Sequence, residues 1–258
     1  MSYKGLDLDG RVAVVVGGTS GIGRAIAHGF AEAGASVVPT GRRADMVDSA
    51  AKEIEALGQR ALRIRSDVQD RASLQRLLEE TVTAFGKVDI LAYAAGRTKR
   101  TPFLNVEESE WNDIMDTNLT GAYRSSQVFG RHMIERKYGR IIYIASLASF
   151  VGLNEVAAYG ASKSGLASLA RTLAVEWARY GVCVNAIAPG VFRTALNEKL
   201  LDGTPRGQEF LIRTPMGRFG KVEELVGSAI YLASEAASFV TGTVLAVDGG
   251  FLASGMNQ

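Results

Sequence analysis

The sequence predicts an α/β fold: a doubly wound parallel sheet of seven strands with helices on both faces. Two observations carry that reading. Short apolar runs alternate with longer segments of helical period from residue 12 to residue 247. The first run, Val12–Val16, is nearly all β-branched, which suits a parallel strand covered on both faces. Parallel neighbours need right-handed crossovers, and these distribute the helices over both sides of the sheet. Hydrophobic residues make up 47% of the 258, enough to fill both interfaces, so residues 1–258 are expected to form one domain.

The elements follow in order. A helix is expected over 21–33, closed by Gly34, then a strand over 36–40. In 44–57, Val47, Ala51, Ile54 and Leu57 recur at helical spacing and Gly58 offers a stop. Further strands are predicted at 60–66, 88–92, 139–145, 182–188 and 243–247. Helices are predicted at 70–85, 107–136, 157–180 and 222–233. The 107–136 stretch reads as two helices meeting near Asn118–Gly121, and Leu166, Leu169, Leu173 and Trp177 mark one stripe of the 157–180 helix. Residues 192–220, with Pro205, Pro215 and four arginines, fit neither period; a loop of that length in a compact domain suggests a substrate lid. No internal repeat, low-complexity tract or linker interrupts the pattern.

Composition narrows the function. With 29 basic and 27 acidic residues, the chain has no charge excess to recommend nucleic acid or a membrane surface as its partner. No run reaches membrane-spanning length and the first ten residues lack an apolar signal core, so a cytoplasmic address is expected. Cys183, the one cysteine, lies in an apolar run that suits a buried structural thiol. His28 and His132 have no ligand companions at metal-binding spacing, so no metal site is expected.

Between the first strand and helix lies Gly17-Gly-Thr-Ser-Gly-Ile-Gly23. Gly17, Gly21 and Gly23 permit a tight turn that brings backbone amides, including those of Thr19, Ser20 and Ile22, toward a pyrophosphate at a helix N-terminus. A Rossmann-type dinucleotide site is the reading that this position supports.

Several separated motifs then agree. Beside the glycine loop stand Asp67-Val68, Asn118 with Gly121, Ser146, Tyr159-Gly-Ala-Ser-Lys163 and Asn185-Ala-Ile-Ala-Pro-Gly190, with Val247-Asp-Gly-Gly250 near the end. In their order and spacing the chain resembles the short-chain dehydrogenase/reductase family over essentially its whole length. The resemblance implies hydride transfer between a nicotinamide dinucleotide and a small alcohol or ketone. Two positions depart from the family pattern: Val16 replaces a usual Thr, and Tyr93-Ala-Ala-Gly96 replaces Asn-Asn-Ala-Gly. The bulk of Tyr93 is expected to alter adenine-side packing and cofactor affinity, leaving the catalytic set untouched.

An NAD site of this kind carries an acid after the second strand to hold the ribose hydroxyls. Here Gly41 stands in that place, followed by Arg42 and Arg43, whose guanidinium forks suit a 2′-phosphate. NADP is therefore the expected cofactor, with NAD the alternative. By resemblance, Asp67 and Val68 meet the adenine, Ala95 and Gly96 border the cofactor, and Pro189, Gly190 and Thr194 close over the nicotinamide. Tyr159 and Lys163 share a helix face, and a nearby ammonium is expected to lower the tyrosine pKa. The resemblance implies that Ser146 bonds the substrate oxygen, that Tyr159 exchanges its proton, and that Lys163 also holds the ribose. It gives Asn118 a kinked helix and a water leading to the lysine.

Arg97, Lys99, Arg100, Arg193, Arg206 and Arg213 are expected to rim the substrate mouth, suiting a carboxylate or phosphate. The runs 173–178 and 249–255 are similar to those of gluconate 5-dehydrogenase-like members, which points to a sugar acid or polyol. A 3-oxoacyl-carrier-protein reductase is the closest rival, and a non-catalytic dinucleotide sensor a distant one. The family's usual homotetramer is expected, through the helices of 107–136 and 157–180 and the C-terminal tail.

Overall fold

The computed structural model describes residues 3–194 and 197–256, with side chains undescribed at 199 and 200. Positions 1, 2, 257 and 258 of the expected domain, and 195 and 196 of the expected lid, lie outside the described residues. Six parallel strands form one sheet: β1 (Val12–Val16), β2 (Ser36–Thr40), β3 (Ile90–Tyr93), β4 (Gly139–Ile144), β5 (Val182–Pro189) and β6 (Val244–Val247). Their order is β2-β1-β3-β4-β5-β6. Chain direction across the sheet reverses between β2-β1 and β3, which opens a crevice beyond the C-terminal ends of β1 and β3.

The seventh strand, expected at 60–66, does not form. That segment touches β2 only at two isolated bridges, Val37 with Ala61 and Gly41 with Arg65. Midway between them β2 carries Pro39, which has no N–H to donate, so the ladder cannot run through. The Thr40 hydroxyl reaches the Ile64 carbonyl instead, at 2.5 Å.

Alternation along the strands sends successive side chains to opposite faces. Val14, Val16, Leu91, Tyr93, Ile141 and Val184 pack on one side against α3 (Arg71–Phe85), α5 (Gly121–Glu135) and α6 (Ala157–Trp177). Ala13, Val15, Ile90, Ile142 and Ile187 pack on the other against α1 (Gly21–Glu32), α2 (Ala44–Ala56) and α9 (Val226–Ala233). Both faces are covered, as the continuous apolar strands require.

The predicted break in 107–136 takes a specific form. Helix α4 (Glu108–Met115) passes through a five-residue π turn, Asp116–Thr120, before α5 begins at Gly121. The stretch 192–220, read as irregular, contains α7 (Glu198–Leu201) and α8 (Pro205–Arg213). Pro205 opens α8 where its missing N–H is harmless, and Thr204 caps it by accepting the Gly207 N–H at 3.0 Å. Cys183 is buried with its thiol donating to the Ser238 carbonyl at 3.7 Å, and His132 Nε2 accepts the Val88 N–H at 3.1 Å. No helix among the described residues is long and apolar enough to cross a membrane.

Candidate active site

The glycine loop turns off β1 under backbone control. Both the Gly17 and Gly18 amides donate to the Thr40 carbonyl of β2, at 2.9 and 3.1 Å. The loop is thus pinned without a hydroxyl at position 16, where Val16 is buried in the core. Gly17 has φ +80°, and a Cβ there would lie 2.6 Å from the Ala95 nitrogen, so the loop and the post-β3 segment approach too closely for any side chain. Above Gly21 the situation reverses: a Cβ there would meet only the Thr194 methyl, at 3.9 Å. Ser20 stands at the N-cap of α1 with no side-chain capping bond, and Thr19, Ile22 and Gly23 complete the turn. First-turn amides without a capping side chain, over open space, form a cradle that fits a pyrophosphate. Gly190 donates to the Val247 carbonyl at 2.8 Å just after Pro189, which turns the chain so that Thr194 overhangs the loop.

Gly41 sits against the same loop, where a Cβ would stand 3.1 Å from the Thr19 hydroxyl. An acidic side chain at this position would crowd Thr19. Arg42 and Arg43 follow, exposed and without a carboxylate partner among the described residues. Asp67 lies across the crevice with Oδ1 accepting the Gln69 N–H at 3.0 Å. The Val68 side chain packs beneath Gly121 in the core, and its carbonyl accepts from Arg124. Only its remaining backbone could meet an adenine.

At the C-terminal edge of β4, Ser146 is extended and buried, its hydroxyl accepting the Ala148 N–H at 3.1 Å. Lys163, 4% exposed, donates from Nζ to the Ile144 carbonyl at 2.6 Å and lies 5.6 Å from the Tyr159 ring centroid. A Cβ on Gly96 would come 3.4 Å from that Nζ, so the post-β3 segment forms one wall of the pocket beside the lysine. Ser146, Tyr159 and Lys163 therefore converge where the sheet crevice opens.

One electrostatic expectation is corrected. Lys163 does not lower the Tyr159 pKa here; burial raises it, with the Ser146 hydroxyl pulling the other way. Burial also depresses Lys163 to about 8. Desolvation disfavours both charged forms, and the ammonium is committed to a carbonyl. The tyrosine thus holds its proton, ready to donate it.

The Asn118 side chain is fully buried: it accepts the Arg97 N–H at 2.8 Å, donates to the Arg97 carbonyl at 2.9 Å and donates to Ser162 Oγ at 3.0 Å. Both N–H groups are thus committed, and Oδ1 keeps one lone pair. Asn118 ties the post-β3 segment to the helix that carries Tyr159 and Lys163.

With this geometry in place, comparison with known proteins is decisive. A family model described as enoyl-(acyl carrier protein) reductase matches residues 16–252. The chain belongs to the short-chain dehydrogenase/reductases. It is an oxidoreductase acting on CH–OH groups. A gluconate 5-dehydrogenase of Gluconobacter oxydans is 39% identical over 255 residues, covering 98% of this chain and all of that protein. A crystal structure of a gluconate 5-dehydrogenase from Burkholderia cenocepacia, in complex with NADP and tartrate, superposes with a TM-score of 0.94 at 38% identity. That match covers 97% of this chain and 98% of the other. A 3-oxoacyl-[acyl-carrier-protein] reductase of Escherichia coli is 37% identical over 245 residues, covering 95% and 98% of the two chains.

Against the family pattern, Tyr93 turns out to be a support for this dehydrogenase's helix joint. Its ring is fully buried on the α5 face, and its hydroxyl donates to the Thr117 carbonyl in the π turn at 2.6 Å. A Cβ on Gly121 would run into that hydroxyl. Bulk at 93 and its absence at 121 are thus one complementary pair. Both residues were visible in the sequence, but their partnership spans a turn that periodicity does not reveal.

Most of the basic rim is neutralised. Arg97 pairs with Asp113, Lys99 with Glu110 at 2.7 Å, Arg100 with Glu155 at 2.6 Å, Arg193 with Asp202 at 2.6 Å, and Arg213 with Glu209 at 3.7 Å.

Proposed function

We propose that the chain is an NADP-dependent oxidoreductase that interconverts a secondary alcohol and a ketone on a sugar acid. The observation that carries the reading is the convergence of Ser146, Tyr159 and Lys163 beside a glycine cradle flanked by Arg42 and Arg43, which have no carboxylate partner among the described residues. The dinucleotide supplies or accepts the hydride when bound. Arg42 and Arg43 would hold its 2′-phosphate, Gly17–Gly23 its pyrophosphate, Asp67 with the Val68 backbone its adenine side, and Ala95, Gly96, Pro189, Gly190 and Thr194 would enclose the remainder. The NADP-bound Burkholderia relative supports the cofactor, and the names of that protein and of the Gluconobacter relative support the sugar acid.

In the reductive direction, the Ser146 hydroxyl donates a hydrogen bond to the substrate carbonyl oxygen. Tyr159 Oη, which burial keeps protonated, then transfers its proton to the more basic alkoxide that develops there. Lys163 would hold the ribose with the N–H groups not given to Ile144. Residues 192–220 act as a lid on one dinucleotide-binding and catalytic unit, excluding water when closed. The assembly we propose is a cytoplasmic homotetramer joined through α4–α6 and the C-terminal tail, and the exposed Val175 on α6 and Tyr123 on α5 support that surface.

The test is a rate comparison with NADPH across keto-gluconates and 3-oxoacyl thioesters. Reduction of a keto-gluconate with higher kcat/KM than any 3-oxoacyl thioester is the expected result. The reverse order would favour the reductase rival, to which the chain is nearly as similar.

A further inference from the structure

Of the six cations expected around the substrate mouth, five have carboxylate partners and Arg206 has none among the described residues. Arg206 lies in the first turn of α8, on the lid, and is half-buried. Its Nη1 donates to the Asn154 carbonyl at 3.3 Å, and its guanidinium lies 5.4 Å over the Phe210 ring. Nε and Nη2 have no partner among the described residues.

Its location ties it to the reacting groups. Asn154 belongs to the segment that joins Ser146 to Tyr159. The next residue, Glu155, accepts the Thr101 N–H through its carbonyl at 2.8 Å and pairs through its carboxylate with Arg100. Arg100 and Arg206 therefore converge on this segment from two sides, with the Glu155 carboxylate given to Arg100. Burial, and after it the Arg100 charge, push the Arg206 pKa below its ordinary value, while the Glu155 and Glu209 carboxylates pull the other way. Glu209 pairs with Arg213, so Arg100, Arg206 and Arg213 share two carboxylates and the local charge is one anion short.

We propose that Arg206 is a specificity residue that receives the substrate's carboxylate, its free Nε and Nη2 forming the two-pronged contact that a carboxylate fits. The inference rests on the sugar-acid reading above. A guanidinium already fixed by the Asn154 carbonyl and the Phe210 face loses little freedom on binding, which favours bidentate recognition. The same contact spans the lid and the segment between Ser146 and Tyr159, so an acidic substrate draws the lid onto the site. A neutral polyol offers no such link.

The experiment measures NADP-linked oxidation of gluconate and of gluconamide, which keeps the hydroxyl pattern and loses the charge. Wild-type enzyme, Arg206→Ala and Arg206→Lys are compared, with circular dichroism to verify folding. In Arg206→Ala the KM for gluconate rises about 10- to 100-fold, the size expected for a lost charge-assisted contact. The preference for gluconate over gluconamide collapses with it. Arg206→Lys keeps part of the preference. If the wild type prefers gluconate and folded Arg206→Ala keeps that preference, Arg206 is not the receptor and the sugar-acid reading stands. If the wild type shows no preference for the charged substrate, the sugar-acid reading itself falls, and the role of Arg206 with it.

Discussion

The catalytic edge and the lid are built by opposite means. At the edge, Ser146, Lys163 and Asn118 are all buried and held by bonds to backbone or to other buried groups. The lid is held at its surface by pairs such as Arg193 with Asp202, whose side chains are 52% and 48% exposed. Buried hydrogen bonds are costly to break because the orphaned partner has no water, whereas exposed ion pairs contribute little. Ser146, Lys163 and Asn118 thus sit on a rigid support, while the proposed lid is left freer to adjust.

The sharpest test of that contrast is Tyr159→Phe. Removing the proton donor should lower kcat by about 10²- to 10⁴-fold, with NADPH binding and thermal stability nearly unchanged. A variant that keeps a tenth of wild-type turnover would mean that another group supplies the proton.

Lys163→Met comes next, because it separates function from stability. The native pKa of Lys163, about 8, lies below its ordinary 10.5, so between these values the unfolded chain binds more protons than the native one. Stability therefore rises with pH across that window, and the burial penalty applies in full below it. At pH 7 the penalty is about 3 kcal/mol, from 1.4 kcal/mol per unit. Offset by the stranded Ile144 carbonyl, a loss of about 1–3 kcal/mol, the variant should be inactive yet no less stable than the wild type, with a gain of up to about 2 kcal/mol. Denaturation at pH 7 and pH 10 checks the sign: the gain shrinks at the higher pH.

At the helix joint, Gly121→Ala forces a methyl toward the Tyr93 hydroxyl and to 2.9 Å from Val68 Cβ, and should destabilise the protein by about 1–3 kcal/mol. Tyr93→Phe strands the Thr117 carbonyl, for a loss of about 1–3 kcal/mol. The double variant should lose less than the two singles together, since they break the same contact. Strict additivity in urea denaturation would contradict the pairing. The smallest effect belongs to the lid: Arg193→Ala should leave the melting temperature unchanged, and a clear drop would show that the lid is more firmly held than its exposed pairs imply.

The sequence made the strands and the catalytic triplet legible because both depend on local pattern. Val12–Val16 and Ser36–Thr40 fall where their β-branched runs end, and Ser146, Tyr159 and Lys163 were placed by motif spacing. The seventh strand failed on a relation between segments: Pro39 silences a ladder with residues some twenty positions away. Helical spacing put Tyr159 and Lys163 on one face but said nothing of burial, which fixes the direction of both pKa shifts. The rim was visible as six cations. Of their carboxylate partners only Glu209, one helical turn from Arg213, lay at a readable spacing.

The most direct test of the account is a fluorescence titration of the wild type and Arg42→Ala with NADPH and with NADH. The wild type should bind NADPH more tightly, and Arg42→Ala should lose that advantage, by about 10-fold or more, with NADH affinity unchanged. Equal affinities in the wild type, or an NADPH preference that survives the substitution, would contradict the assignment of the 2′-phosphate to the end of β2.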